Sequence, residues 1–72
     1  METKVTDINI LFPVLNERLR LEKGIEKTVA YAKEHLTVPY RITILDNGSE
    51  DETPEIGKRL AEKYPEVSYV RV

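Results

Sequence analysis

The residues best suited to chemistry follow an apolar run in the middle of the chain. Residues 42–45 are Ile-Thr-Ile-Leu, and Asp46, Asn47, Gly48 and Ser49 come directly after them. A carboxylate at this point can accept hydrogen bonds from a base N–H or from ribose hydroxyls. Gly48 permits a positive φ or a close ligand approach. The same four residue types also favour tight turns for local reasons, so a plain turn stays open as an alternative.

A second polar segment follows an earlier apolar run, residues 8–12. It consists of Pro13, Val14, Leu15, Asn16 and Glu17. Asn16 can cap a helix that begins at Glu17, whose negative charge suits a helix N-terminus. Taken alone, this pair favours a helix cap over a ligand contact.

Three apolar runs predict the strands that would position these segments. The first covers residues 8–12 and should end near Pro13, which cannot donate to a strand ladder. The second covers residues 40–46, and the third covers residues 67–72. The polar start of the chain is expected to fray up to about Val5.

Two amphipathic segments between the strands predict helices. The first is predicted over residues 17–36, because apolar residues recur there at helical spacing. These residues are Leu21, Ile25, Val29, Ala32 and Leu36. Gly24 lies inside this helix and indicates either close packing or an early break. The second helix is predicted from an N-cap at Thr53, with Pro54 at the first helical position, to about Tyr64.

The resulting order, β-α-β-α-β, predicts an α/β fold with a three-stranded parallel, Rossmann-like sheet. Right-handed crossovers give the strand order 3-2-1 and place both helices on one face of the sheet. The carboxyl ends of neighbouring parallel strands meet at one rim, where ligands of such folds bind. We therefore expect the two polar segments to lie side by side, with the Asp46 carboxylate projecting from that rim.

The two faces of the predicted sheet differ in polarity. The more apolar face, assigned to the helices, carries Ile8, Ile10, Phe12, Ile42 and Ile44. The opposite face carries Asn9, Leu11, Arg41, Thr43 and Leu45. Parallel sheets are normally covered on both faces, and an open edge strand invites pairing. The chain is thus expected to be part of a larger domain, or to form a homodimer through the open face or edge.

Composition narrows the class of protein further. The chain has 72 residues, a formal net charge of −2 and no cysteine, which predicts one small or partial domain, residues 1–72, without disulfides. The mixed charges and slightly negative net charge argue against a nucleic-acid partner, which would require a basic patch. No apolar run is long enough to span a membrane. We expect a soluble, cytoplasmic protein.

Several other chemistries are disfavoured by the residue pattern. The glycines do not form Gly-x-Gly-x-x-Gly, and no phosphate-binding P-loop is present. Glu50, Asp51 and Glu52 favour a solvated acidic turn over a metal site. His35 lies near a predicted helix C-terminus, where a cation is favoured by the helix dipole, and it receives no catalytic role.

The two polar segments together resemble those of family 2 glycosyltransferases. Residues 12–17, Phe-Pro-Val-Leu-Asn-Glu, are similar to the Pro-Val-Tyr-Asn-Glu segment of that family. Residues 46–53, Asp-Asn-Gly-Ser-Glu-Asp-Glu-Thr, are similar to its Asp-Asp-Gly-Ser-x-Asp-x-Thr segment. The spacing and the intervening helix also match, so the resemblance covers nearly the whole chain.

The resemblance implies a partial GT-A domain that binds a nucleoside diphosphate sugar. Pro13, Val14 and Glu17 would line the base and ribose pocket, and Asp46 would bind the base edge. The complete set of nucleotide-binding residues expected on this basis is Pro13, Val14, Leu15, Asn16, Glu17, Asp46, Asn47 and Ser49.

Departures from the family pattern weaken the expected activity. Leu15 replaces an aromatic residue, and Asn47 replaces an aspartate, which removes a negative charge. The family's Asp-x-Asp segment, which holds Mg²⁺ or Mn²⁺ and the diphosphate, does not occur here, nor does an acceptor-side half with a catalytic base. We expect weak binding of a nucleoside diphosphate sugar, with no catalytic residue and no metal ligand. The alternative is a stand-alone interaction module without ligand chemistry.

Overall fold

A computed structural model describes residues 6–72, so the predicted fraying up to Val5 lies outside the described residues. The described chain alternates strands and helices, as the sequence predicts. The elements are β1 (Ile8–Val14), α1 (Leu21–His35), β2 (Tyr40–Asp46), α2 (Thr53–Lys63) and β3 (Val67–Arg71).

The three strands form one parallel sheet with β2 in the middle. The order is β1-β2-β3, and β2 pairs in parallel with each neighbour. Val14 lies opposite Asp46 on one side, and Arg71 lies opposite Asp46 on the other. The carboxyl ends of all three strands are therefore level, which confirms the predicted common rim.

The core lies between the helices and the face of the sheet predicted to be apolar. Ile42 and Ile44 of β2 are fully buried, as is Ile25 of α1. Ile10 and Phe12 are partly buried and pack against this cluster. The remaining members of the buried apolar cluster are Val14, Leu21, Val29, Leu60 and Val67. Two-residue periodicity in the strands and helical periodicity in α1 thus converge on one apolar layer.

The opposite face of the sheet is open to solvent in the described part of the chain. Leu11 is 57% exposed and Val70 is 46% exposed. On the same face, Thr43 donates a hydrogen bond to the side-chain oxygen of Asn9 at 3.0 Å. This mixture of apolar and polar side chains agrees with the predicted difference between the faces. Neither helix of residues 6–72 has the length and apolar character needed to cross a membrane.

Strand β1 continues through Pro13, where the sequence predicted its end. β1 is an edge strand, so one side of its backbone has no strand partner among the described residues. Proline is tolerated at such an edge because its missing N–H is not needed by a neighbour. The strand consequently extends to Val14, whose carbonyl oxygen accepts a hydrogen bond from the Asn47 N–H at 3.0 Å.

Both helices begin differently from the predictions. α1 starts at Leu21, because residues 17–20 form a separate turn in which the Glu17 carbonyl accepts hydrogen bonds from Arg20 and Leu21. Asn16 therefore does not cap α1, and its φ of +52° is left-handed. In α2, Thr53 is the first helical residue, and Glu52 precedes it at the N-cap position without a side-chain capping bond.

Gly24 and Gly57 are the helix positions at which an aromatic side chain of the sheet packs directly against the helix backbone. A Cβ atom at Gly24 would lie 2.9 Å from Cζ of Phe12, and α1 runs on through this residue. Of the two explanations left open for Gly24, close packing is thus confirmed. A Cβ atom at Gly57 would overlap the ring of Tyr69, so this ring lies directly against α2.

Candidate functional site

The predicted site residues lie at the carboxyl ends of β1 and β2 and in the two adjacent loops that follow these strands. We call residues 15–20, between β1 and α1, the first loop, and residues 47–52, between β2 and α2, the second loop. Successive backbone N–H groups of the first loop donate to side chains of the second loop or of the helix that follows it. The predicted proximity of the two segments is confirmed: the pairing of β1 with β2 places them side by side, and these hydrogen bonds hold them together.

Asn16 forms hydrogen bonds to the second loop through both its backbone and its side chain. Its N–H donates to Oγ of Ser49 at 2.9 Å, and its Oδ1 accepts the Glu50 N–H at 2.9 Å. Asparagine adopts the left-handed conformation more readily than most residues. This conformation replaces the capping role that the sequence favoured, and it turns Asn16 towards the second loop.

Glu17 and Arg18 continue the connection. The Glu17 N–H donates to Oγ1 of Thr53 at 2.9 Å, and the Arg18 N–H donates to Oδ2 of Asp51 at 3.3 Å. The other oxygen of Asp51 accepts the Thr53 N–H at 2.8 Å. Runs of backbone N–H groups often form anion-binding concavities, but the N–H groups of Asn16, Glu17 and Arg18 already have protein acceptors.

Asp46 lies at the end of β2 as predicted, but the expectation that its carboxylate projects from the rim is wrong. The residue is fully buried. Its Oδ1 accepts N–H hydrogen bonds from Gly48 at 3.1 Å and Ser49 at 2.8 Å, and its Oδ2 accepts one from the Tyr69 hydroxyl. The carboxylate turns inward because these three donors surround it. Direct contact of Asp46 with a base edge stays a prediction.

The carboxylate of Asp46 is held in its charged form. Burial acts to raise the pKa of Asp46, but hydrogen bonds from Tyr69 and Ser49, together with the charge of Arg71, outweigh it. The net result is a pKa below the ordinary value of the group. Charged acceptors form the stronger class of hydrogen bond, so this ionisation state strengthens the contacts of the second loop.

Tyr69 is a site residue that the sequence analysis did not single out. Tyr69 is half-buried, and its hydroxyl donates a hydrogen bond to Oδ2 of Asp46. Burial, and then the hydrogen bond and charge of Asp46, raise the pKa of Tyr69 to about 12. The hydroxyl therefore stays protonated near neutral pH. No local signal links two residues 23 positions apart; only the pairing of β2 with β3 brings them together.

Three predicted nucleotide-binding residues line one groove beside β1. Pro13, Val14 and Glu17 share it with Phe12, Arg20, Leu21 and Gly24, and its volume is about 310 Å³. This lies at the small end of the ~300–1,000 Å³ range of ligand pockets. Glu17 is half-buried, and its carboxylate accepts a hydrogen bond from Nε of Arg20 at 3.0 Å.

The other predicted residues divide between the loop interface and the solvent. Leu15 and Asn47 are exposed at the rim, whereas Ser49 is buried and Asn16 is bonded to the second loop. Asn47 is therefore the exposed polar side chain next to the buried Asp46. Outside this rim, a wider concavity of about 680 Å³ lies near the amino ends of the strands and contains none of the predicted residues.

The acidic turn has two kinds of residue. Glu50 and Glu52 are exposed, in agreement with a solvated turn, and Glu52 lies 3.6 Å from Nε of Arg18. Asp51 is half-buried and bridges the loops, a structural role that the sequence interpretation did not foresee. Within residues 6–72, no three acidic, histidine or cysteine side chains are grouped so as to hold a metal ion.

Strands and helices alternate along the chain, the sheet is parallel, and its carboxyl-end rim is polar. These features define a Rossmann-like α/β fold. Residues 9–72 match the model of the family described as glycosyl transferase family 2. The chain belongs to this family.

Curated relatives include proteins named as undecaprenyl-phosphate or dolichyl-phosphate sugar transferases. The chain is 42% identical over 53 residues to the undecaprenyl-phosphate 4-deoxy-4-formamido-L-arabinose transferase of Yersinia enterocolitica, covering 74% of this chain and 16% of the relative. The enzyme of the same name from Pseudomonas savastanoi is 38% identical over 56 residues, with 78% and 16% coverage. A dolichyl-phosphate beta-glucosyltransferase of Trichomonas vaginalis is 30% identical over 64 residues, with 83% and 20% coverage. The chain thus spans between a sixth and a fifth of these relatives.

Replacing Thr53 by valine tests the connection between the loops. Thr53 is fully buried, and Thr53→Val removes the acceptor of the Glu17 N–H while keeping the branched shape. An unpaired, partly buried donor costs roughly 1–3 kcal/mol, and we expect the free energy of unfolding to fall by that amount in chemical denaturation. Thr28→Val is the matched control, because the Thr28 hydroxyl only donates to the Gly24 carbonyl within α1. An equal loss in both variants would contradict the assigned role of Thr53.

The buried Asp46 carboxylate predicts a specific loss of stability in acid. Because its pKa is lowered in the folded state, Asp46 stabilises the fold above its unfolded pKa of ~3.9. This contribution is lost as the pH falls through the lower, folded value. In Asp46→Asn, the free energy of unfolding should therefore fall less steeply below about pH 4. Denaturation at a series of pH values measures this slope. The exposed Asp7→Asn is the control and should parallel the wild type, and parallel curves for all three proteins would refute the prediction.

Proposed function

We propose that this chain is the nucleotide-sugar-binding segment of a family 2 glycosyltransferase, and that it binds the nucleotide weakly by itself. The main support is the groove beside β1, which gathers Pro13, Val14 and Glu17 at the rim where Rossmann-like sheets bind ligands. Family membership supports sugar transfer as the reaction of a complete enzyme. The donor of that reaction would be a nucleoside diphosphate sugar.

The contacts proposed for the nucleotide follow from exposure. The half-buried carboxylate of Glu17 accepts hydrogen bonds from ribose hydroxyls, and the exposed side chains of Pro13 and Leu15 provide apolar contact for the base. Because Asp46 is fully buried and its carboxylate already accepts three hydrogen bonds, we assign the contact with the base edge to the exposed amide of Asn47. It offers both a donor and an acceptor for that purpose. Asp46 and Ser49 then contribute by holding the second loop in place.

The weakness of the proposed binding has a structural basis. The groove is small and lies along an open edge of the sheet, so it encloses only part of a nucleotide. The proposal includes no metal-bound diphosphate, because these 72 residues contain no Asp-x-Asp segment and, within residues 6–72, no group of three acidic, histidine or cysteine side chains placed to hold a metal ion. Mg²⁺ or Mn²⁺ would belong to a complete enzyme, and no step proposed here passes through a metal.

Titration with UDP and GDP tests this proposal. Backbone amide signals of Glu17 and Asn47 should shift at millimolar nucleotide, because both residues lie at the proposed site. Asn47→Ala should weaken binding roughly twofold to tenfold, as expected for one net hydrogen bond. Asn9→Ala is the matched control, since Asn9 lies near the amino end of β1, and its affinity should equal that of the wild type. Unmoved amides around both loops at millimolar ligand would end the proposal.

A second candidate function, self-association, is favoured by the exposed apolar residues of the sheet. Leu11 and Val70 remain 57% and 46% exposed on the face without helices. A homodimer formed through this face would remove both from water, which is favourable in proportion to the apolar area buried. In this alternative the chain is an interaction module, and its rim has no ligand chemistry.

Sedimentation over a wide concentration range separates the two candidates. If the chain self-associates through its open face, the wild type should shift from monomer to dimer as concentration rises. Leu11→Lys should keep the protein monomeric because it places a charge within that face, whereas Tyr31→Lys, an exposed apolar-to-charged change on α1, should dimerise normally. A wild type that remains monomeric at the highest concentration would rule out the module.

A further inference from the structure

The orientation of Tyr69 is fixed by the helix against which it packs. Gly57 of α2 leaves no side chain between the helix and the Tyr69 ring, and a Cβ atom there would overlap that ring. The ring is therefore confined between β3 and α2, and its hydroxyl is directed at Oδ2 of Asp46. The buried face of Gly57 and the end of β2 are connected through one side chain.

A continuous series of hydrogen bonds leads from Tyr69 to the first loop. Tyr69 occupies Oδ2 of Asp46, and the other oxygen receives the N–H groups of Gly48 and Ser49. The hydroxyl of Ser49 in turn accepts the N–H of Asn16. The series thus joins the ends of β3, β2 and β1 in that order.

The two carboxylate oxygens of Asp46 bond different parts of the chain, and this links Tyr69 to the conformation of the second loop. A carboxylate rotates about its Cβ–Cγ bond over a broad torsional range. The hydroxyl of Tyr69 holds one oxygen from the side of β3, which leaves the other facing Gly48 and Ser49. The turn that carries Asn47 contains Gly48 with a φ of +95°, and the two hydrogen bonds to Oδ1 of Asp46 close this turn.

We infer that Tyr69 is a positioning residue for nucleotide binding, acting through Asp46 to fix the loop that presents Asn47. Tyr69 itself does not contact the ligand. The inference rests on the proposed function, since it concerns the loop assigned to the base. It goes beyond that function by giving a role to a residue of β3, outside both loops.

Tyr69→Phe tests the inference because it removes the hydroxyl and keeps the ring against Gly57. Two quantities are measured on the 72-residue chain: hydrogen exchange of individual backbone amides without ligand, and the dissociation constants of UDP and GDP. We expect faster exchange at Gly48 and Ser49, unchanged exchange at Ile25 and Val29 in α1, and nucleotide binding weakened roughly threefold to tenfold.

Tyr64→Phe is the matched control: Tyr64 is a partly buried tyrosine packed on the core, and its variant should match the wild type in both measurements.

The comparison of amides separates positioning from general stability. Faster exchange throughout α1 and the loops would show that the hydroxyl only stabilises the fold, and this would overturn the inference. Unchanged protection of Gly48 and Ser49, or loosened amides with unchanged affinity, would overturn it as well. Failure of the proposed function gives a different result, because the wild type would then bind neither UDP nor GDP. That result would overturn the inference as well, since the inference rests on nucleotide binding.

Discussion

The buried carboxylate of Asp46 is the interaction on which the rest of the rim depends. Placing a charge in a protein interior is costly unless hydrogen bonds compensate it. Here three donors from two different parts of the chain provide that compensation. Those donors are held in turn by the carboxylate, so the end of β2, the second loop and Tyr69 adopt their positions together.

The two loops form one unit because their polar groups satisfy each other. Asn16, Glu17 and Arg18 send their N–H groups to acceptors on the other side, and Asn16 accepts one in return. Loops usually carry solvated backbone and move more than the elements they connect. Mutual satisfaction reduces that freedom, and preorganised groups at a binding site lose less entropy when a ligand arrives. The polar groups of the rim are thus held in fixed positions, as the proposed nucleotide binding requires.

Within residues 6–72, helices cover only one face of the sheet. α1 and α2 cover Ile42 and Ile44, while Leu11 and Val70 remain exposed on the other face. The curated relatives are five to six times longer than the segment they share with this chain. The proposed weak binding and the alternative of self-association both arise from this combination of a well-formed rim and an uncovered face.

The sequence by itself determined the element order, the parallel sheet, the apolar face and the adjacency of the two polar segments. Local periodicity and the handedness of crossovers suffice for those features. It did not determine that Asp46 turns inward, that Asn16 adopts a left-handed conformation or that Tyr69 completes the site. Asn16 bonds Ser49 and Glu50, which are 33 and 34 positions away, and the Tyr69 hydroxyl that bonds Asp46 is 23 positions away. Only strand pairing and helix packing bring these partners within hydrogen-bonding distance. The start of α1 was misplaced for the same reason, because the N–H groups of residues 16–18 bond side chains of the second loop and of Thr53 at the start of α2, and residues 17–20 form a separate turn.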